Sequence, residues 1–212
     1  RKHVLTGVFW PGYIKASELA LQWKPYIDKN KFGSSHMFYT KAAESLLSNL
    51  NMKMILSVRE PRDWVYSAAR KIYENPEAFG RDKSTSITQH IYDLIHGFRP
   101  TKNKVGRLSM LERYTRIKKW TSWSQVLMIK FENLIGSKGG GNDEIMLLEI
   151  EKIADHLNIK PSDEIKDAII KNLYGGTSTF RKGKIGFWEE EKEIINEHDT
   201  LFNEAGDIFE YR

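Results

Sequence analysis

The chain contains no cysteine among its 212 residues. Disulfide bonds, thiolate zinc sites and cysteine nucleophiles are therefore excluded. The lack of disulfides also favours a reducing compartment, and we expect a cytoplasmic location. No run of about eighteen apolar residues is present, so the sequence predicts no membrane-spanning helix.

The first residues lack the apolar core and the small-residue cleavage site of a signal peptide. They do not begin with Met, and we expect the chain to be part of a longer protein. Internal repeats, low-complexity tracts and inter-domain linkers are also lacking, which predicts one domain over residues 1–212.

The composition is that of an ordinary globular protein, with 40% hydrophobic and 29% charged residues. The formal net charge of +5 suits an anionic ligand such as a nucleotide. It also suits nucleic acid, and it is common in proteins that bind neither.

Two short apolar runs, Met52–Val58 and Val126–Phe131, are typical of strands buried on both faces of a parallel sheet. The segments on either side of these runs have apolar residues at helical spacing, and a further extended segment is expected within Phe32–Met37. The sequence thus predicts an α/β fold with a parallel sheet flanked by helices. The predicted helices are Lys15–Asn30, Ala42–Leu50, Arg62–Tyr73, Ser84–His96, Met110–Trp120, Asn142–Asn158, a helix opened by Pro161 that runs to about Tyr174, and Glu190–Ile208.

The first candidate site follows the strand that ends at Val58. Arg59 leaves the strand, Pro61 forces a turn, and Ser67 lies on the helix that follows. Helix N-termini attract phosphate, and an arginine beside one offers a planar fork for phosphate oxygens. In the alternative interpretation, Arg59 and Arg62 pair with Glu60 or Asp63 and only cap the helix.

The second candidate site is the loop Thr177–Trp188, which reads TSTFRKGKIGFW. Arg181 and Lys182 supply positive charge, and Gly183 lets backbone amides approach an anion closely. Phe180 or Trp188 is suited to stacking on a nucleotide base. In the alternative interpretation this is a solvated basic loop whose aromatic rings return to the core.

Both segments resemble the sulfotransferases that use 3′-phosphoadenosine 5′-phosphosulfate (PAPS), of the cytosolic and bacterial type. In that family a strand ends in Arg-x-Pro-[Arg/Lys]-Asp with a serine on the next helix, and Arg59 and Ser67 match this pattern. The family's Arg-Lys-Gly-x-x-Gly-x-Trp matches the run that starts at Arg181. The resemblance implies a P-loop-NTPase-like fold, with Arg59, Ser67 and the Arg181–Gly183 run holding the 3′-phosphate.

A third segment, Lys130–Gly136, is similar to the strand end Lys/Arg-Tyr-Glu-Asp-Leu of the same family. Phe131 and Asn133 depart from its Tyr and Asp, and Phe131 has no hydroxyl to offer a ligand. The resemblance runs from about Phe32 to the C-terminus, with the motifs in the family's order.

The candidate catalytic residue is His36. A lone histidine near a strand end is more often structural than catalytic. The resemblance implies otherwise, because the family places a general-base histidine at the end of the strand before the arginine strand. Here Ser34 stands in place of the family's common Lys, and His3 is a weaker rival for the role.

The family's Pro-Lys-Ser-Gly-Thr-Thr-type loop, which cradles the 5′-phosphosulfate, has no counterpart in these residues. We therefore expect the sulfotransferase domain to lack its N-terminal strand and this loop within residues 1–212.

The implied function is transfer of a sulfuryl group from PAPS to a hydroxyl or amine of a small-molecule acceptor, without metal, nucleic acid or membrane. The alternatives are a P-loop-type phosphoryl transferase, a nucleotide-binding pseudoenzyme, and a basic nucleic-acid-binding module. The acceptor is not readable, and its candidate loops are Val8–Tyr13, Glu74–Lys83 and Gly97–Gly106.

Overall fold

The computed structural model describes residues 4–6, 33–99, 106–173 and 183–211. Contacts divide the chain into two compact units. The first comprises Arg1–Met54 and Arg116–Leu127, and the second comprises Ile55–Thr115 and Met128–Arg212. The predicted helix Lys15–Asn30 and the candidate loop Val8–Tyr13 lie outside the described residues.

The first unit contains a parallel pair of short strands. Strand β1 (Val4–Thr6) lies beside β2 (Gly33–Ser35), with Val4 opposite Gly33 and Thr6 opposite Ser35. The sequence predicted an extended segment around β2 and missed β1, which is too short to show an alternating pattern. Helix α1 (Lys41–Asn49) begins after Thr40, whose hydroxyl accepts the amide proton of Ala43 at 3.1 Å.

Aromatic side chains fill the core of the first unit. Phe38, Leu47, Trp120 and Trp123 are buried. The indole nitrogen of Trp120 donates to the carbonyl of Met37 at 3.0 Å, so the backbone just after β2 is fixed.

Strand β3 (Met54–Val58) pairs with β4 (Val126–Lys130) in a second two-stranded sheet. Both strands were predicted, but burial on both faces was wrong for β3. Ile55 and Ser57 are exposed while Val58 is buried. In the described part of the chain β3 has one strand partner, and one of its faces is open.

Helices of the second unit surround these strand ends. Buried side chains of Val65, Tyr66, Ile91, Met110 and Phe202 form much of its core. The helices are α2 (Pro61–Glu74), α3 (Ile87–His96), α4 (Met110–Lys118), α5 (Phe131–Leu134), α6 (Asp143–Leu157), α7 (Asp163–Leu173), α8 (Lys192–Asn196) and α9 (Asp199–Ile208). The last residues of α4 belong to the first unit. Short 3₁₀ helices cover Pro76–Phe79, Lys119–Ser122, Ser137–Gly139 and Phe187–Glu191.

Several predicted helix boundaries were wrong: α3 begins at Ile87 rather than at Ser84, and α4 ends at Lys118 rather than at Trp120. Two further differences have a visible cause. Helix α7 begins at Asp163 rather than at Pro161, because the carbonyl of Ser162 accepts the first helical amides, those of Ile165 and Lys166, each at 3.0 Å. The predicted final helix Glu190–Ile208 is three elements: the end of a 3₁₀ helix, α8 and α9. The apolar spacing continues across these breaks and does not reveal them.

The apolar spacing of α6 predicts a buried face through Ile145, Leu148, Ile150, Ile153 and Leu157, and this prediction is only partly right. Ile150 is buried, but Ile145, Leu148 and Leu157 are 45%, 57% and 37% exposed. Beside Ile150, the helix buries Met146, Glu149 and Ala154. Burial of Glu149 is tolerated because its carboxylate accepts hydrogen bonds from Asn133 and Lys152.

Candidate functional site

The turn between β3 and α2 is held by carboxylates. Pro61 occupies the first helical position, and the Glu60 carboxylate caps the helix by accepting the amide proton of Asp63 at 2.8 Å. The amide of Glu60 donates to Glu132 at 2.9 Å, which ties the turn to the residues after β4. Burial raises the pKa of Glu60, and hydrogen bonds from Asp63 and Arg62 oppose that rise. The turn is therefore fixed before any ligand arrives.

Arg59 lies at the centre of this arrangement, with a side chain that is 15% exposed. Its Nη2 donates to the carbonyl oxygen of Lys184 at 2.8 Å and lies 3.7 Å from Oδ2 of Asp63. The guanidinium carbon is 4.5 Å from the ring centroid of Phe131. Its buried Nε has no hydrogen-bond partner among the described residues, which leaves one donor for a ligand.

Phe131 stands where the sulfotransferases that this segment resembles have a tyrosine, and its ring contacts Arg59 without a hydroxyl. It forms the apolar surface on which the Arg59 guanidinium rests. The neighbouring Glu132 accepts the hydroxyl proton of Tyr211 at 2.9 Å as well as the amide proton of Glu60. The segment after β4 therefore supports the arginine rather than presenting a hydroxyl.

Asp63 is the residue whose role the sequence analysis missed. Its side chain is 1% exposed, and its two oxygens accept the backbone amide protons of Gly186 at 2.9 Å and Trp188 at 3.1 Å. The sequence analysis named Asp63 only as a possible ion-pair partner of Arg59 or Arg62. The signal was its position in the Arg-x-Pro-Arg-Asp motif, but only the tertiary structure shows that it anchors the second motif.

Arg62 agrees with the alternative interpretation, in which it pairs with acidic side chains. Its guanidinium binds Glu60 at 3.2 Å, Asp199 at 2.9 Å and the side chain of Asn203 at 3.0 Å. It also lies 5.6 Å from the ring of Trp188. Arg62 thus joins α2 to α9, while the neighbouring Arg59 faces the C-terminal motif.

The C-terminal motif enters the described structure at Gly183; the candidate residues Phe180, Arg181 and Lys182 lie outside the described residues. Gly183 and Gly186 have positive φ angles of 54° and 73°. The amide of Ile185 donates to the carbonyl of Gly139 at 2.9 Å. A side chain at Gly139 would collide with Ile135 and lie 2.5 Å from the carbonyl oxygen of Gly183. The glycine run after β4 thus packs against this motif.

Ser67 lies on the second turn of α2 and is half-buried. No hydrogen bond involves its hydroxyl among the described residues. Its predicted contact with a phosphate stays a prediction. The preceding residue, Tyr66, is buried, packs against the ring of Phe187 with centroids 4.8 Å apart, and donates its hydroxyl proton to Glu190 at 2.9 Å.

His36 follows β2 directly, as predicted, and its side chain is exposed. The residues after it are held by the Trp120 bond to Met37 and by the buried ring of Phe38. His36 belongs to the first unit, and Arg59, Ser67 and Gly183 belong to the second. Its role as a base stays a prediction.

Across the described residues, no group of three or more His, Asp or Glu side chains is arranged to hold a metal ion. The described helices include none that is both long and apolar enough to cross a membrane.

No protein-family model and no curated protein matches the chain. Among solved structures, the chain is similar to the crystal structure of the mouse sulfotransferase SULT7A1 complexed with PAP. The TM-score is 0.67 at 15% sequence identity, and the match covers 99% of this chain and 79% of that one. At this identity the similarity shows the fold.

The fold is therefore sulfotransferase-like, and the predicted α/β class with a P-loop-like parallel sheet is confirmed. The limits of the domain and the loop expected before it stay predictions. The two motifs that carried the resemblance meet in space, through Arg59 with Lys184 and Asp63 with Gly186.

Proposed function

We propose that this chain is a PAPS-dependent sulfotransferase that transfers a sulfuryl group to a hydroxyl or amine of a small-molecule acceptor. The observation that supports the proposal most is the hydrogen bond from Arg59 to the Lys184 carbonyl at 2.8 Å. It joins two motifs that lie far apart in the sequence and that share one ligand in the sulfotransferases they resemble. The fold similarity and the PAP named for the mouse enzyme support the same nucleotide.

In this proposal Arg59, Ser67 and the run Arg181–Gly183 bind the 3′-phosphate, and Phe180 packs on the adenine base. The unpaired Nε of Arg59 and the amides near Gly183 are the donors that a phosphate accepts from. These contacts with the 3′-phosphate orient the donor nucleotide and supply binding energy away from the reacting sulfur.

The proposed reaction is an in-line transfer. The acceptor oxygen or nitrogen attacks sulfur, a new bond to sulfur forms, and the bond from sulfur to the bridging phosphate oxygen breaks. The nucleotide leaves as 3′-phosphoadenosine 5′-phosphate, and His36 takes the acceptor's proton. We propose a cytoplasmic setting for this reaction.

Calorimetric titration with 3′-phosphoadenosine 5′-phosphate and with AMP tests the nucleotide assignment. The two differ in the 3′-phosphate, so we expect at least tenfold tighter binding of the former, and Arg181→Ala should remove most of that preference. Lys171→Ala, an exposed charge on α7, is the matched control and should leave both affinities unchanged. Equal affinity for the two nucleotides in the unaltered chain would sink the assignment.

The His36 assignment is tested by turnover. His36→Ala should lower the transfer rate by at least about a hundredfold, because general-base catalysis typically contributes 10²–10⁴-fold. Its affinity for 3′-phosphoadenosine 5′-phosphate should stay within about twofold of the unaltered chain. Persisting activity moves the base to another group, with His3 next. Nucleotide binding by the unaltered chain without any transfer from PAPS assigns it instead as a nucleotide-binding pseudoenzyme.

A further inference from the structure

Three of the partly or fully buried arginines in the second unit, Arg81, Arg107 and Arg113, are here called the arginine cluster. Arg81 follows the 3₁₀ helix Pro76–Phe79, and Arg113 lies on α4. Arg107 closes the segment that starts at Phe98: the two residues exchange backbone hydrogen bonds of 2.8 Å in an antiparallel bridge. The cluster therefore gathers residues from or beside two of the candidate acceptor loops.

Arg81 is neutralised within the protein. Its side chain is 5% exposed, and its Nη2 lies 2.7 Å from Oδ2 of Asp93. The other oxygen of Asp93 accepts a hydrogen bond from Gln89 at 2.9 Å. The Arg81 guanidinium also lies 4.7 Å from the ring centroid of Phe98, so it holds the base of the loop in place. The buried carboxylate of Asp93 thus pairs with Arg81.

Arg107 and Arg113 lack such a partner. Within the described ranges, neither guanidinium forms an ion pair with a carboxylate. Arg113 donates its Nε to the carbonyl of Leu108 at 3.4 Å and lies 5.7 Å from the ring of Trp64. The nearest acid in sequence, Glu112, uses its carboxylate to accept from the amide and hydroxyl of Ser109 at 2.8 and 3.0 Å.

The electrostatics agree with this geometry. Burial, followed by repulsion from Arg81 and Arg113, lowers the pKa of Arg107 to about 10, and Asp93 opposes the shift. Burial also lowers the pKa of Arg113, and Glu112 opposes it. Arginine stays protonated near neutral pH, so the carboxylates of Asp93 and Glu112 face three guanidinium groups.

A buried cation without a counter-charge costs folding free energy, and such costs concentrate where a ligand later supplies the missing charge. The sequence between Phe98 and Arg107 adds Arg99, Lys102 and Lys104 and contains no acidic residue. Arginine is the side chain best suited to a planar carboxylate or a sulfate, because its fork donates two parallel hydrogen bonds.

We propose that Arg107 and Arg113 bind an anionic group, a carboxylate or a sulfate ester, on the acceptor molecule. That the bound molecule is the sulfuryl acceptor rests on the proposed function, whereas the anion site rests on the arginine cluster alone. Tyr114, adjacent to Arg113, donates its hydroxyl proton to the carbonyl of Arg59 at 2.6 Å. Helix α4 thus connects the anion site with the proposed nucleotide site inside one unit.

A matched pair of glycosides tests the proposal. Methyl β-D-glucuronide and methyl β-D-glucoside differ by one carboxylate, and NMR titrations of the labelled chain, with and without saturating 3′-phosphoadenosine 5′-phosphate, measure both affinities. We expect the glucuronide to bind at least tenfold more tightly. Arg107→Gln and Arg113→Gln should each reduce that preference to about twofold or less. Lys160→Gln, which removes an exposed charge beyond α6, should preserve it.

Thermal unfolding separates binding from folding. Because Arg107→Gln removes a cation without a counter-charge, the unliganded variant should unfold at the same or a higher temperature than the unaltered chain. A lower unfolding temperature together with an unchanged glycoside preference assigns the cluster a structural role and overturns the proposal. Equal binding of both glycosides by the unaltered chain also overturns it.

Two further outcomes are distinguishable. A glucuronide preference that Arg107→Gln abolishes, in a chain that fails to bind 3′-phosphoadenosine 5′-phosphate, supports the anion site and removes the sulfotransferase reading. Binding of a single-stranded oligonucleotide that depends on Arg107, with no preference between the glycosides, overturns the proposal in favour of nucleic acid.

Discussion

At the scale of single residues, Arg59 and Arg62 show how two neighbouring cations diverge. Arg62 donates hydrogen bonds to Glu60 and Asp199. Arg59 donates to the Lys184 carbonyl, and its Nε has no partner in the described structure. The difference arises from Asp63, which holds the amides of Gly186 and Trp188 and so places the second motif beside Arg59. Asp63 is thereby a positioning residue for the site.

Tyr66 carries a pH dependence that belongs to this scale. Burial and the bond to Glu190 raise its pKa to about 12 in the folded chain, against about 10 when unfolded. A raised folded-state pKa contributes stability that is fully present below pH 10 and is lost as the pH rises toward 12.

Tyr66→Phe should therefore cost about 1 kcal/mol of unfolding free energy at pH 8 and less at pH 11, measured by urea denaturation. Tyr73→Phe on the same helix is the control, since Tyr73 is 49% exposed, and it should change stability at neither pH. A Tyr66→Phe effect that is larger at pH 11 than at pH 8 would contradict this account.

At the scale of elements, the site is built where the β3–α2 turn, the residues after β4 and the C-terminal motif meet. The glycine run Gly139–Gly141 lies between α5 and α6. In the structure Gly139 supports the motif through the bond from Ile185, and its lack of a side chain lets the Gly183 carbonyl approach.

Gly139→Ala should accordingly displace the Gly183–Ile185 segment and weaken binding of 3′-phosphoadenosine 5′-phosphate by about tenfold or more, measured by calorimetry. Gly140→Ala is the matched control. Its new side chain would meet only Ile185, at 3.9 Å, although its φ of +89° strains the backbone. It should therefore lower stability by about 1 kcal/mol and leave nucleotide affinity nearly unchanged. Equal loss of affinity in both variants would mean that general destabilisation, and not the close approach at Gly139, is responsible.

At the scale of the whole molecule, the net charge of +5 suits the anionic nucleotide of the proposed function. A ligand that binds only the folded chain raises the unfolding temperature. At a concentration one hundred times its Kd, it adds about 2.7 kcal/mol of stability.

For a chain of this length we therefore expect 3′-phosphoadenosine 5′-phosphate at that concentration to raise the Tm by about 5–10 °C, measured by calorimetric scanning. AMP at the same concentration should raise it by about half as much or less, because its Kd is expected to be at least tenfold higher. Arg181→Ala should bring the two shifts together, while Lys171→Ala keeps them apart. Equal shifts in the unaltered chain would contradict the proposed recognition of the 3′-phosphate.

The sequence by itself determined the elements around the site, because local patterns encode them. Apolar runs predicted β3 and β4, and Pro61 predicted the turn into α2. The two motifs predicted the candidate nucleotide-binding residues. Helical breaks near His198 and the buried face of α6 were missed, since both depend on packing that apolar spacing does not record.

Only the tertiary structure decided which of these residues meet. Arg59 and Lys184 are far apart along the chain, and no local signal states that the guanidinium of one bonds the carbonyl of the other. The same holds for Asp63 and for the arginine cluster, whose members look like ordinary surface cations in the sequence. Burial and the commitment of Asp93 to Arg81 leave Arg107 and Arg113 without a carboxylate among the described residues, and burial arises only when the chain folds.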